Sequence, residues 1–287
     1  MTTARIIITR PEPDAGLWVQ QLGQARIPAE AFALIDIAPL SGAADDQGLN
    51  QAWLALGDYA ACMFVSGHAV NHFFKPKRPV AHAGQAQAAI DNVAEGDSLA
   101  IPPHLRFMAP GPGTVAALRA VGVPAAQIDA PAADARQFDS ESLWQTIGTR
   151  DWQGRKVLIV RGQSAGAEGA SSGRDWISRQ WQEAGARVDF VGVYQRRAPV
   201  LTDAQIARAR QASTDGSVWL FSSSEAVGHL LGMAGLQGVD WLRARAIATH
   251  PRIAQAVRAA GWGVVVASRP ALQDIRQTLG SIELQHP

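Results

Sequence analysis

RFMAPGPGTVAALRAVG, residues 106–122, predicts a short apolar strand, a glycine-rich turn and a helix whose apolar residues recur every three or four positions. Gly111 and Gly113 lie where this helix begins, so its first backbone N–H groups can approach a ligand closely. Such groups can bind a phosphate, a carboxylate or another anion, or they can belong to a purely structural turn. The spacing G-P-G-T matches neither the dinucleotide-binding nor the P-loop signature. The stretch therefore indicates a strand–turn–helix unit and leaves its ligand open.

This unit is one block of an internal repeat, in which three blocks occur twice in the same order. Each block begins with an apolar strand, which a turn and a helix follow. The paired blocks are IIITR (6–10) and VLIVR (157–161), FVSGHAVNHFF (64–74) and FSSSEAVGHLL (221–231), and RFMAPGPGTVAALRAVG (106–122) and RAIATHPRIAQAVRAAG (245–261).

Strands that alternate with helices in this way predict an α/β fold with doubly wound parallel sheets. Gly122, Gly185 and Gly261 follow three of the predicted helices, where a left-handed cap residue is expected. The turns after the strands lie at the carboxyl ends of the sheets, where open α/β sheets bind their ligands. We therefore expect the repeated turns to form the functional site.

Composition excludes several classes of protein. The chain has 287 residues, 47% of them hydrophobic and 18% charged, which is enough for two domains with large cores. A net charge of +1 argues against nucleic acid as a partner, and no apolar run is long enough for a membrane span. The start, MTTARIIITRP, has no signal-peptide pattern, and Cys62 stands alone. We expect a cytoplasmic monomer that binds neither nucleic acid nor membrane.

Groups that donate hydrogen bonds concentrate at the predicted turns, whereas acidic residues are nearly absent from them. The donors are at Thr9, Arg10, Ser66, Gly111, Gly113, Thr114, Arg161, Gly162, Ser222 and Ser223. The sequence has no paired carboxylates, no histidine and cysteine cluster at metal-ligand spacing and no G-x-S-x-G elbow. Neither a metal nor a cofactor is expected, and the donors suit a polyanionic ligand.

Other polar features are interpreted as structural. His72 and His229 occupy equivalent positions of the second block, and we assign both to packing rather than to a ligand. The basic run at 75–78 is typical of a solvated loop. Residues 162–173 are rich in Gly, Ala and Ser, which is typical of a flexible loop.

A series of short motifs along nearly the whole chain resembles one family. They are TRP (9–11), S-x-x-x-V (66–70), GPGTVAAL (111–118), FDSESL (138–143), LIVRG (158–162), GRDWI (173–177), VGVYQRR (191–197), FSSSEAV (221–227) and G-W-x-V-x-V-A (261–267). In their order and completeness they are similar to the uroporphyrinogen-III synthases, which close the linear tetrapyrrole hydroxymethylbilane during haem biosynthesis.

The resemblance implies two similar domains, of which the first is discontinuous. The first domain is expected at 1–38 and 199–287, and the second at 42–192. The chain would cross between them near 37–41 and 193–199, in two adjacent strands.

The resemblance also implies a cofactor-independent mechanism. The enzymes of the family promote loss of the terminal hydroxyl from hydroxymethylbilane, which gives an electrophilic azafulvene. This closes through a spiro intermediate that inverts the last pyrrole ring. The family's conserved tyrosine matches Tyr194, which is therefore expected to donate the proton to the departing hydroxyl. The alternative is that Tyr194 fills the seam between the domains.

The substrate carries eight carboxylates, which the resemblance assigns to the donors at the turns. The side chains expected to bind them are Arg10, Arg161, Arg174, Ser66, Thr114, Ser222 and Ser223. Backbone N–H groups, including those near Gly111, Gly113 and Gly162, are expected to contribute further hydrogen bonds.

The sequence departs from the family pattern in the second copy of the third block. The position equivalent to Thr114 is Ile253, and THPR (249–252) replaces the glycine-rich turn. Thr249 is then the side-chain donor that remains there. The loop before Arg174 is also longer than in the family.

Two functions from other classes stay open on the residues alone. One is a non-catalytic binding or sensor protein for a small polyanion, which a DNA-binding helix pair or an output domain would favour. The other is a nucleotide-sugar transferase, which an acidic cluster at a strand end would favour. Neither feature is found in the sequence.

Overall fold

The structure is a computed structural model, which describes residues 4–40, 42–75, 101–164 and 172–285. Most of the basic run at 75–78 and of the loop at 162–173 lies outside the described residues. The chain divides into two compact units: Met1–Ile37 with Arg196–Pro287, and Ala38–Gln195. Both are helix-covered sheets with dominant parallel pairing, so the predicted α/β class is confirmed.

Eleven strands and ten helices lie in the described part of the chain. The strands are β1 (Ile6–Ile8), β2 (Ala29–Ala31), β3 (Asp36–Pro39), β4 (Ala61–Phe64), β5 (Arg106–Met108), β6 (Ile128–Asp129), β7 (Lys156–Ser164), β8 (Arg187–Arg197), β9 (Val218–Phe221), β10 (Arg245–Ala248) and β11 (Val264–Ala267). The helices are α1 (Asp14–Gln24), α2 (Ala43–Leu54), α3 (Gly67–Phe73), α4 (Pro112–Ala120), α5 (Ser140–Ile147), α6 (Ser172–Glu183), α7 (Asp203–Gln211), α8 (Ser224–Gly232), α9 (Pro251–Ala259) and α10 (Leu272–Gln285).

The first unit contains a five-stranded sheet of order β11-β10-β9-β1-β2, whose neighbours are parallel. Its strand β1 shows how the sequence specifies a sheet covered on both faces. Ile7 packs with Trp219 in one apolar cluster, whereas Ile6 and Ile8 pack on the opposite side with Ile275 of α10. Because side chains alternate along a strand, a run of buried apolar residues requires cover on both faces.

The second unit contains a six-stranded sheet of order β3-β8-β7-β4-β5-β6. The pairs β7–β4, β4–β5 and β5–β6 are parallel. The central strand β4 is buried along its whole length: Met63 packs with Trp181 on one side, and Phe64 stacks against Phe107 on the other. The neighbouring strands β3 and β8 are the two segments in which the chain passes from one unit to the other.

The helix ends also agree with the sequence. Gly122, Gly185 and Gly261 have φ values of 90°, 85° and 98° and follow α4, α6 and α9. Residues with a Cβ atom rarely adopt these φ values, so glycine allows the chain to leave each helix and enter the next segment.

Asp129, at the end of β6, is a buried carboxylate that ties together three segments of the second unit. Its two oxygens accept hydrogen bonds of 2.6–3.0 Å from the guanidinium groups of Arg106, where β5 begins, and Arg150, after α5. Burial by itself raises the pKa of Asp129, but the hydrogen bonds and charges of the two arginines outweigh burial and hold that pKa below its ordinary value. The carboxylate thus fixes β5, the strand that leads into the turn at Gly111.

We expect Asp129→Asn to destabilise the protein by about 2–3 kcal/mol, less than a fully buried pair would because the arginines are partly exposed. A carboxyl group whose pKa is lower in the folded than in the unfolded state stabilises the folded protein at pH values above the unfolded pKa. This stabilisation is lost as the pH falls through the folded pKa. The difference between wild type and variant in urea unfolding should therefore shrink below about pH 4. Asp134→Asn, at an exposed aspartate, is the control. Equal stability of wild type and Asp129→Asn at pH 7 would contradict this role.

Candidate active site

The predicted site residues of the second unit lie at the carboxyl ends of β4, β5 and β7. Ser66 follows β4, Gly111 to Thr114 follow β5, and Arg161 and Gly162 lie in the last part of β7. Because β4 pairs in parallel with both β5 and β7, these ends meet at one edge of the sheet. Tyr194 lies in β8, which is next to β7.

Ser66 is the N-cap of α3. Its backbone is extended, and its Oγ accepts a hydrogen bond of 3.1 Å from the N–H of Ala69. Serine is favoured at this position because its side chain satisfies an N–H group that has no partner within the helix. The same Oγ lies 3.1 Å from Oη of Tyr194, within hydrogen-bond distance.

Tyr194 is buried, with 3% of its surface exposed. Its ring lies 5.4 Å from the ring of His72 and 6.0 Å from that of His68, measured between centroids. On the β7 side its neighbour is Gly162, where a Cβ atom would overlap the tyrosine ring and would lie 2.9 Å from Oη. Gly162, predicted as a substrate-binding residue, therefore also provides the space that the tyrosine occupies.

The turn between β5 and α4 is open to a ligand. Gly111 is the N-cap of α4, no side chain caps the first turn, and Pro112 follows. Gly113 is exposed, with no atom within 4 Å of the position of a Cβ. The Thr114 side chain is buried, and its N–H donates to the Gly111 carbonyl over 3.1 Å. Pro112 has no N–H, and the N–H of Val115 also donates to the Gly111 carbonyl, which leaves the N–H of Gly113 to bind a carboxylate.

Arg161 and Arg174 are the predicted cationic ligands of this unit. The guanidinium of Arg161 lies 4.6 Å from the ring centroid of Phe190 in β8, in a cation–π contact. Arg174 lies in the first turn of α6, and its side chain is outside the described part of the structure.

In the first unit, Thr9 and Arg10 follow β1. The Thr9 hydroxyl donates a hydrogen bond of 2.7 Å to the Leu220 carbonyl, so it joins β1 to β9. The Arg10 guanidinium stacks on Trp18, 4.7 Å from the ring centroid. Burial lowers the pKa of Arg10, and the charge of Asp14 acts in the opposite direction.

Three further predicted residues follow β9 and β10. Ser222 is partly exposed, and Ser223 is the N-cap of α8, where its Oγ accepts from the N–H of Glu225 over 3.2 Å. Thr249 is buried, and its N–H donates to the Phe221 carbonyl over 3.0 Å. The sequence reasoning missed His250, the N-cap of α9, whose Nδ1 accepts from the N–H of Arg252 over 3.1 Å. The proline that follows it, a residue favoured at the first helical position, was the signal.

The two equivalent histidines have different surroundings. His229 donates from Nδ1 to the Leu34 carbonyl over 2.7 Å, which is a structural role. His72 instead lies against Tyr194. Neither His68 nor His72 was predicted as part of the site, although their spacing of four residues places them on one face of a helix.

Within the described ranges, no three His, Cys, Asp or Glu side chains form a group that could hold a metal ion. Among the helices listed above, none is both long and apolar enough to cross a membrane.

Comparison with known proteins gives a family and a fold. The family model of the uroporphyrinogen-III synthase HemD matches residues 18–277. Among solved structures, a mutant uroporphyrinogen III synthase of Thermus thermophilus is 14% identical, with 99% of this chain and 100% of that chain covered and a TM-score of 0.53. The uroporphyrinogen-III synthetase of Helicobacter pylori is 13% identical, with coverages of 97% and 99% and a TM-score of 0.53. At these identities the structures show a shared fold.

The contact between Gly162 and Tyr194 leads to a specific expectation. Gly162→Ala should displace the tyrosine ring from Ser66 and lower turnover by roughly tenfold, because a small misplacement of a reacting group is costly. The control is Gly48→Ala in α2, where a Cβ meets nothing within 4 Å. Steady-state turnover and melting temperature are measured for both variants. Unchanged turnover of a well-folded Gly162→Ala protein would show that the ring position is unimportant.

Proposed function

The chain belongs to the uroporphyrinogen-III synthase family, and on this premise we propose that Tyr194 assists departure of the substrate hydroxyl while the donor-rich turns bind the substrate carboxylates. The reaction is the cyclisation of hydroxymethylbilane to uroporphyrinogen III, with inversion of the last pyrrole ring and loss of water. The individual residues that perform it are our proposal.

The observation that carries the proposal is the contact between Ser66 Oγ and Tyr194 Oη. Ser66 Oγ already accepts from Ala69, so its own proton is available for a hydrogen bond to the phenol oxygen. In that arrangement Tyr194 accepts from Ser66 and keeps its proton free for the substrate. Its burial limits competition from water and makes the hydrogen bond stronger than at the surface.

In the first chemical step, the bond between the terminal methylene carbon and its hydroxyl oxygen breaks. The oxygen leaves with the bonding electrons and takes the Tyr194 proton, so water is released. Electrons from the attached pyrrole form the azafulvene in its N-protonated form, which then closes through the spiro intermediate. When the last ring regains its aromaticity it releases one proton, which restores the Tyr194 phenol. A phenol is a weak acid, so its contribution lies at the lower end of general acid catalysis. The remaining task is to hold the two ends of the chain for closure with inversion.

Ser223 suits carboxylate binding because it accepts a backbone N–H as the N-cap of α8 and retains a hydroxyl proton that it can donate. Ser66 also accepts a backbone N–H, but its proton is used in the hydrogen bond to Tyr194, so Ser66 acts on the substrate through the phenol. A hydrogen bond to a charged group contributes roughly 1.5–3 kcal/mol when it is shielded from water. A few such contacts, with the uncapped turn at Gly111, are enough for a polycarboxylate.

We further propose a cytoplasmic monomer that uses no cofactor and binds no nucleic acid. The net charge of +1 supports the last point. The buried and free thiol of Cys62 is compatible with a reducing compartment.

The function is tested by supplying hydroxymethylbilane to the purified protein and separating the type I and type III isomers. Spontaneous closure gives the uninverted type I isomer, so the expected result is an excess of type III. A chelator should leave the yield unchanged. Binding of hydroxymethylbilane with type I alone, at the rate seen in buffer, would favour the non-catalytic binding protein instead.

Tyr194→Phe should lower turnover by roughly one to two orders of magnitude and change the melting temperature little, because the ring is kept. Some type III product should still form, since inversion also depends on how the substrate is held.

Tyr59→Phe is the matched control, because Tyr59 is the second of the two tyrosines and is also buried. Its hydroxyl donates to Asp189 over 3.0 Å and has no expected role in turnover. If Tyr194→Phe kept full turnover and only its melting temperature fell, Tyr194 would be a packing residue.

A further inference from the structure

The helices α3 and α8, which belong to equivalent blocks of the repeat, differ in one charge. Both begin at a serine N-cap, Ser66 or Ser223, and both carry a histidine six residues later. Two residues after the serine, α8 has Glu225, whereas α3 has His68.

In α8 the carboxylate of Glu225 lies among basic groups. It is 3.2 Å from the guanidinium of Arg196 and 4.0 Å from Nε2 of His229. His229 also donates a hydrogen bond to the Leu34 carbonyl, so in the first unit both ring nitrogens of this histidine have partners within the protein.

The corresponding histidine of α3 has different neighbours. His72 is partly exposed and makes no hydrogen bond to another described residue, while its ring packs against Tyr194. Burial, then the charge of Lys75 and then that of His68, lower the pKa of His72. Several other elements packed on α3 carry ionisable residues. They are Cys62 in β4, Lys156 and Arg161 in β7, Arg119 in α4, Asp45 and Asp46 in α2, and Arg187, Asp189, Tyr194, Arg196 and Arg197 in β8.

We propose that His72, with Lys75, binds one carboxylate of the substrate beside Tyr194 and takes up a proton from solvent as it does so. The substrate then supplies the negative charge that Glu225 supplies in α8. This inference rests on the polycarboxylate substrate of the proposed function. It identifies His72 as a residue that determines specificity, because the carboxylate it holds would place one end of the substrate near the phenol.

The proton uptake follows from the charges. In the free protein the lowered pKa keeps His72 neutral at pH 7, and a bound carboxylate stabilises the imidazolium. Binding therefore weakens as the pH rises through the pKa of His72 in the complex. KM for hydroxymethylbilane should increase between pH 6 and pH 8.

The test compares three variants by KM, kcat and the pH profile of KM. His72→Gln should raise KM about tenfold at pH 7, leave kcat within a few-fold and remove the pH dependence of KM. His72→Arg should restore a low KM without the pH dependence, since arginine stays charged. His229→Gln, at the equivalent position of α8, should keep the pH profile of the wild type and lower only the melting temperature.

The outcomes separate this inference from the proposed function. If the wild type forms the type III isomer and His72→Gln keeps both the KM and its pH profile, the inference is wrong and the function stands. If His72→Arg fails to restore KM although His72→Gln raises it, the histidine acts by its shape and the inference is likewise wrong. If the wild type forms no type III isomer, the proposed function fails first.

Discussion

The hydroxyl oxygen of Ser66 makes the two contacts on which the candidate active site depends. It accepts the N–H of Ala69, which begins α3, and it lies 3.1 Å from the phenol oxygen of Tyr194. One atom thus fixes the start of a helix and a reactive side chain relative to β4. Because β4 is buried along its length in the middle of its sheet, this atom cannot move far without opening the core.

Much of the fold could be predicted because side-chain periodicity reports local backbone geometry. The apolar run Ile6 to Ile8 predicts a strand covered on two faces, and the structure places its side chains in clusters on both. Gly122 marks the end of a helix for a steric reason that holds in any fold. The serines of the second block were recognised as turn residues, and both cap helices.

The contacts around Tyr194 could not be predicted in the same way. Ser66 and Tyr194 are 128 residues apart, and they meet because their strands belong to one sheet. The order of strands depends on how whole units pack, so no local pattern indicates that position 162 has room only for a glycine. The same reason applies to Asp129, whose arginines lie more than 20 residues away on either side. The sequence indicated which residue types occupy the strand ends. Which of these residues contact one another depends on the order of strands in the sheet, which the sequence pattern does not give.

The two copies of the repeat differ in the residues at the starts of their helices, where anions could bind. In the first unit, His250 caps α9, and Glu225 lies beside Arg196 and His229. In the second unit, no side chain caps α4, and His68 replaces the glutamate. A positive group shielded from water is stable when a negative group accompanies it. In the first unit, Glu225 is such a negative partner for Arg196 and His229. In α3 of the second unit we propose that a ligand supplies this partner, and because the same unit contains Tyr194, the proposed anion-binding position lies beside the proposed acid.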